Sequence, residues 1–214
     1  MLKTDRLLLR QWTKDDFFPF SEMRSDKDVM EYFPKHLTKE ESHEMAEKIL
    51  SLISEKGGGL WVVEVPNQHQ FIGFVGLHTP TNKMPFSPCV EVGWRLSKQH
   101  WGKGYATEGA KEALKFAFNT LNLDEVVSFT TQTNARSRAV MPKIGMHDSK
   151  QNFMHPDIEV SHPQREHVLY KINKKRGYKM PYNKSLNLTS TASFNFVVEY
   201  HKIKQLRSVK LARR

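Results

Sequence analysis

The run from Val92 to Thr107, Val-Gly-Trp-Arg-Leu-Ser-Lys-Gln-His-Trp-Gly-Lys-Gly-Tyr-Ala-Thr, carries a β-rich segment into a loop and then into a helical pattern. Gly102, Gly104 and Ala106 stand at alternate positions in that loop. The first amides of a helix have no partner within it and point outward at the positive end of its dipole. Small residues there let an anion approach closely. A strand-to-helix corner that accepts phosphate or pyrophosphate is expected, in an α/β domain. Two common corners of this kind are excluded. A G-x-G-x-x-G dinucleotide fingerprint needs a third glycine where Thr107 stands, and its acid closes the next strand, whereas Asp124 and Glu125 open it. A P-loop needs Lys followed by Ser or Thr, which this loop lacks.

Periodicity places the remaining elements around this corner. Residues 6–12 read as a strand, and Thr13 with Asp15 and Asp16 starts a helix toward Met23. Thr38 and Glu41 form a capping box ahead of a helix through Met45, Ile49, Leu52 and Ile53, which Gly57-Gly58-Gly59 stops. Residues 60–65 and 71–77 flank Pro66-Asn67 as a hairpin, and residues 90–96 form a third strand. A helix over 107–118 shows the stripe Ala110, Ala113, Leu114, Ala117 and Phe118. A strand over 125–131, a short helix capped by Asn134 and ended by Gly145, and a last strand over 167–172 complete the pattern. The order β-α-α-β-β-β-α-β-α-β is that of a mixed α/β domain with antiparallel neighbours.

Charge divides the chain. The net +10 of its 214 residues comes entirely from the C-terminal end. Residues 1–173 hold 22 basic and 22 acidic residues, whereas residues 174–214 hold 11 basic residues and the single acid Glu199. A catalytic domain over 1–173 and a basic, poorly ordered extension over 174–214 are expected, with nucleic acid or ribosome as a partner of the extension alone. Phe194, Phe196, Val198 and Tyr200 alternate and read as one strand within it. No apolar run nears the ~20 residues of a membrane span, and one cysteine allows no internal disulfide, so a cytoplasmic location without membrane partners is expected.

Gln99-x-x-Gly102-x-Gly104-x-Ala106 resembles the Q/R-x-x-G-x-G/A signature of the GNAT acetyltransferases, whose loop binds the pyrophosphate of acetyl-CoA. Further blocks stand in that family's order. They are Arg6-Leu7-Leu8-Leu9-Arg10, Phe71-Ile72-Gly73-Phe74-Val75-Gly76-Leu77, Glu91-Val92-Gly93-Trp94, Gly102-Lys103-Gly104-Tyr105-Ala106-Thr107-Glu108, and Asn134-x-x-Ser137-x-x-Val140-Met141-x-x-Ile144-Gly145-Met146. They are similar to the branch that includes the ribosomal-protein N-terminal acetyltransferases. The resemblance implies the GNAT acyl-CoA N-acyltransferase fold, a mixed and mostly antiparallel sheet flanked by helices. It also implies direct transfer of an acetyl group from acetyl-CoA, as co-substrate and without a metal, to a primary amine on a protein N-terminus or a small molecule. Cofactor contacts are then expected at Trp94, Arg95, Leu96, Gln99, Gly102, Lys103, Gly104, Ala106, Thr107 and Asn134.

The amine must be neutral to attack, which an α-amino group (pKa about 8) achieves more readily than lysine (about 10.4). Glu91 is the strand carboxylate nearest the signature and the expected general base. Ser137 occupies the family's position for helping the leaving thiolate. Backbone N–H groups around Gly93 are expected to hold the oxyanion. The rival reading is a GNAT-fold domain that binds acyl-CoA with little turnover, tethered to nucleic acid or ribosome by the basic tail. Cys89 is not needed for direct transfer, and His147, His155, His162 and His167 lack metal-ligand spacing. Pro142, inside the helix begun by Asn134, predicts a kink or an early end.

Overall fold

The computed structural model describes residues 1–56, 58–80 and 82–174. The basic stretch from residue 175 onward, with the expected Phe194–Tyr200 strand, lies outside the described residues. The chain runs β1 (Leu2–Lys3), β2 (Leu8–Arg10), α1 (Phe17–Ser25), α2 (Lys39–Lys56), β3 (Leu60–Val65), β4 (His69–His78), β5 (Glu91–Leu96), α3 (Tyr105–Lys115), β6 (Glu125–Thr131), α4 (Ala135–Lys143), β7 (His147–Asp148), β8 (Phe153–Met154) and β9 (Glu166–Asn173). These strands form one sheet in the order β1-β2-β3-β4-β5-β6-β9-β7, with β8 also on β9. All neighbours are antiparallel except β5 and β6, which are parallel because α3 crosses over between them. The expected mixed, mostly antiparallel GNAT sheet is what forms.

Local chemistry explains most boundaries. The Thr38 hydroxyl accepts from Glu41 N–H at 3.2 Å while the Glu41 carboxylate accepts from Thr38 N–H at 2.8 Å, so α2 starts with the expected capping box. The first helix differs from expectation: residues 14–16 form a 3₁₀ turn before α1 begins at Phe17. Asp16 accounts for this turn. Its carboxylate accepts from Thr13 N–H at 2.8 Å and from both terminal nitrogens of Arg10, tying the turn back to β2. The first strand is correspondingly shorter, three residues rather than seven.

Helices cover both faces of the sheet. Phe20 of α1 packs edge-on against Phe74 of β4, with ring centroids 6.1 Å apart. The next β4 residue, Val75, meets Gly109 of α3, where an added Cβ would lie 3.3 Å from a Val75 methyl. Consecutive strand residues point to opposite faces, so α1 and α3 lie on opposite sides. Buried Leu9, Trp61, Val62, Ile72, Val92, Leu114, Phe118 and Val126 fill the core between them.

Of the two outcomes expected of Pro142, a kink or an early end, the helix shows the end. The proline sits in the last turn, and the helix closes directly after it. Met146 N–H donates to Met141 C=O at 3.1 Å and Gly145 N–H to Pro142 C=O at 3.0 Å, with Gly145 at φ +88°. This is a Schellman ending, with Met141 and Met146 both buried at its apolar contact. Ser137 lies more than a turn upstream, in the well-capped first turn.

Candidate active site

Two hydrogen bonds fix which way the polar groups of β5 point. Val127 N–H donates to Val90 C=O and Ser97 N–H to Ile72 C=O, both at 2.9 Å. Polar groups alternate along a strand, so odd-numbered β5 residues bond to β4 while Val92, Trp94 and Leu96 turn theirs toward β6. Yet β5 and β6 share one registered pair, Glu91 with Val127. Beyond it the strands make no ladder, and Trp94 and Leu96 face a slot. Leu96 C=O is taken by Trp101 Nε1–H at 2.8 Å. The Leu96 N–H and both backbone groups of Trp94 face the slot.

The slot opens into a cleft of about 860 Å³ lined by the loop and by residues of β4, β5, β6, α3 and α4. At one end, Gly102 and Gly104 take φ of +75° and +81°, a left-handed backbone that a side chain would strain. Nothing lies within 4 Å of a Cβ placed on Gly102. Gly104 is the N-cap of α3, so the first amides of that helix open beside this space. Gly102, Gly104, Ala106 and Thr107 line the cleft; Gln99 and Lys103 are exposed and outside its lining. Lys103 instead offers its C=O to Arg6 Nη1–H at 3.0 Å. Arg6 also pairs with Glu108 at 2.6 Å and lies 4.8 Å from the Tyr105 ring. That clamp holds the loop against the N-terminal strands. Arg6 and Glu108 stand in separate motif blocks, and nothing local in either block signals that they pair.

At the other end lies Glu91, 8% exposed, one of the lining residues. Burial pushes its carboxyl well above the usual carboxylate range, partly offset by a backbone hydrogen bond from Phe129. His78 Nε2 stands 3.2 Å from its Oε2. Desolvation pushes the His78 ring below its ordinary value, although 41% of its side chain stays exposed. His78, at the end of a strand with no motif, carried no sequence signal.

The Asn134 side chain caps α4, accepting from Ser137 N–H at 3.1 Å, and its amide donates to the Thr130 hydroxyl at 3.0 Å. It thus ties α4 to β6 at the cleft wall. The Ser137 hydroxyl lines the cleft and makes no hydrogen bond among the described residues. Arg95 is placed apart from its expected companions Trp94 and Leu96. Its backbone bonds to β4, and its guanidinium lies over the Phe33 ring, on the α1 side. Cys89 is buried and its thiol is pushed up to about 12, chiefly by desolvation, which leaves no thiolate at neutral pH. Among the described residues no group of three or more His, Cys, Asp or Glu is arranged to hold a metal. None of their helices is long and apolar enough to cross a membrane.

Comparison with known proteins agrees with this geometry. Residues 6–147 match the acetyltransferase (GNAT) domain family. The uncharacterized protein YkkB of Bacillus subtilis is 32% identical over 152 residues, covering 70% of this chain and 86% of its own. The crystal structure of a GNAT-family acetyltransferase from Bacillus anthracis superposes with a TM-score of 0.66 at 27% identity, over 80% of this chain and 97% of that one. Ribosomal-protein-S5-alanine acetyltransferase from Vibrio fischeri shares the fold at 18% identity and a TM-score of 0.65, over 82% and 97% of the two chains. With its strand-to-helix corner, its splayed parallel pair and two thirds of its length matched, this chain belongs to the GNAT family of acetyltransferases.

Proposed function

We propose that this enzyme transfers the acetyl group of acetyl-CoA directly to a primary amine, with Glu91 as general base and Ser137 as the donor to the departing sulfur. The observation that carries this reading is the placement of Glu91. It stands at the single registered pair of β5 and β6, where the slot begins, and it lines the same cleft as Ser137.

The residues fit acetyl-CoA. The open space at Gly102 and the first amides of α3 suit a pyrophosphate, and the unpaired polar groups of Trp94 and Leu96 suit an amide-bearing arm lying strand-like along β5. Glu91 takes the proton that an ammonium group must lose before its nitrogen attacks the thioester carbon. A carboxyl with a raised pKa is a better base than an exposed one. A β5 N–H facing the slot stabilises the oxyanion as the C–N bond forms. When the C–S bond breaks, the Ser137 hydroxyl donates to the thiolate, whose conjugate thiol (pKa near 8.5) makes it a modest leaving group. The acceptor is a protein N-terminus or a small-molecule amine, in a cytoplasmic setting, and the basic tail is the reading's candidate contact for ribosome or nucleic acid. The test is thiol release from acetyl-CoA in the presence of small amines and N-terminal peptides. Release that depends on an added amine is expected. Binding of acetyl-CoA with no amine-dependent release would favour the rival, a domain that only holds the thioester.

A further inference from the structure

We propose that Arg24 and Arg95 form a carboxylate-binding subsite at the acceptor end of the cleft, so that the amine acetylated here itself carries a carboxylate. This rests on the acetyl-transfer reading and names the substrate class for it.

Arg24 is 5% exposed and lines the cleft. Its Nη1 reaches only the thioether of Met45, at 3.2 Å, and its Nε has no partner. Arg95 lines the same space, with its guanidinium carbon 3.7 Å from the Phe33 ring centroid and 5.6 Å from that of Phe74. Its Nη1 points at Met30 Sδ from 3.8 Å, and its Nε is also unpartnered. Neither arginine has a carboxylate within ion-pairing distance among the described residues. Glu41 is felt by Arg24 from farther off, but its oxygens are engaged by Lys35 Nζ at 2.6 Å and Thr38 N–H at 2.8 Å. The two guanidinium groups repel each other, and burial together with that repulsion lowers Arg95 to about 9.

Burying the Arg24 cation unpaired is costly, and a half-buried second cation that repels it adds to the cost; aromatic faces return only part of the loss. Such a pair is intelligible when a ligand brings the opposite charge. The pyrophosphate is not that ligand. Its cradle is at the N-terminus of α3, whereas Arg95 turns toward the α1 face, opposite α3. The planar fork of an arginine matches the two oxygens of a carboxylate. Alternation along β5 puts Glu91, Gly93 and Arg95 on one face, and a Cβ on Gly93 would meet nothing within 4 Å. The amine near Glu91 and the carboxylate near Arg95 therefore share one open track. Four strand residues span ~13 Å, so a dipeptide reaches both ends better than a free α-amino acid does.

The test uses the full chain and a set of dipeptides differing in side chain, each as free acid and as C-terminal amide. For the wild type, free acids are expected to exceed amides at least tenfold in kcat/KM and, by calorimetry on CoA-loaded protein, in affinity. In Arg95→Met, which keeps an apolar stem over Phe33, both ratios should collapse toward one. The unliganded variant should unfold at a higher temperature than the wild type, because an unpaired, half-buried charge that repels Arg24 is gone. Arg24→Met should act likewise; if it fails to fold, Arg95→Met alone decides. Equal binding of acids and amides by the wild type, or a preference untouched in Arg95→Met, overturns the proposal. Tighter binding of an aminoalkyl phosphate of the same length would replace carboxylate by phosphate. Acid-selective binding without acetyl transfer would support the subsite and count against the transfer reading instead.

Discussion

Glu91→Gln separates the base from everything else Glu91 does. The amide keeps the volume, still accepts from a backbone N–H, and still faces His78, which stands 3.2 Å away. It cannot accept the proton of an ammonium group. His78 is a poor substitute because desolvation holds its ring below its ordinary value, making it a weaker base than free imidazole. A positioned base contributes ~10²–10⁴ in rate. With an α-amino acceptor (pKa about 8), about a tenth of the amine is already neutral at pH 7, so the lower end applies and a loss of about 10² is expected. The wild-type rate should rise with pH through a limb above the usual carboxylate range, because burial raises Glu91. The variant should lose that limb, and the gap should narrow toward high pH as free amine becomes plentiful. Stability gives an independent reading with a definite sign. Since the folded pKa is raised, the unfolded chain releases this proton first. Wild-type stability therefore falls as pH rises from the unfolded toward the folded value. At pH 7 the variant, which has no charge to bury, should melt at a higher temperature. Thiol-release assays from pH 6 to 9 and thermal unfolding at pH 5 and 7 supply both measurements. Unchanged turnover across that range, in a folded variant, would remove Glu91 from the mechanism.

Gly104→Glu places a carboxylate at the α3 N-cap, where φ is +81° and the added Cβ falls 3.4 Å from Arg6 Nη2; acetyl-CoA affinity by calorimetry should drop at least ~10-fold. Gly104→Ala, which carries only the ~1–2 kcal/mol left-handed strain, should lose far less. Asn134→Ala removes the α4 cap and the tie to Thr130, so denaturant unfolding should show a loss of about 1 kcal/mol or more. Truncation after Lys174, whose N–H donates to Asp124 C=O at 2.9 Å, should leave turnover intact and abolish any salt-sensitive binding to RNA; RNA binding that survives in the truncated chain would refute the division by charge.

The cofactor side of this site was legible in the sequence because backbone builds it. Left-handed turns need glycine, a helix start needs a cap, and a strand ending needs small residues, so Gly102, Gly104 and Asn134 stand out with no knowledge of the fold. The proposed acceptor side was not legible, because it is assembled from side chains whose neighbours are far away in the chain. Arg95 meets Met30 across 65 positions, and Arg24 meets Met45 across the α1–α2 turn. Arg95 was expected among the cofactor contacts with Trp94 and Leu96, and only the fold shows Phe33 beneath its guanidinium. The same limit hid the pairing of Arg6 with Glu108, 102 positions apart. Pro142 shows the opposite case, a local signal that marks where its helix ends. Proline removes its own N–H bond to the carbonyl four residues back, here that of Arg138, and α4 ends one residue after it, at Lys143.

In the proposed reaction one strand serves both halves, and its alternation keeps them separate. The even-numbered residues of β5 turn their main chain to the slot, where any side chain offers the same N–H and C=O. The odd-numbered residues bond to β4 through the main chain and present side chains to the acceptor face, Glu91 at one end and Arg95 at the other. A substitution at Arg95 can therefore change what the cleft accepts while the Trp94 and Leu96 edge stays in register, held by the β4 ladder on its far side. Glu91 is the exception, because it is also the one residue of β5 in register with β6. The slot begins where that pairing stops, so in the proposed mechanism the carboxylate stands where the thioester carbon and the amine meet. Moving the base one position along β5 would turn it to the opposite face of the sheet, toward α3 and away from the amine. The strand's period, more than the identity of its neighbours, confines the proposed base to this residue.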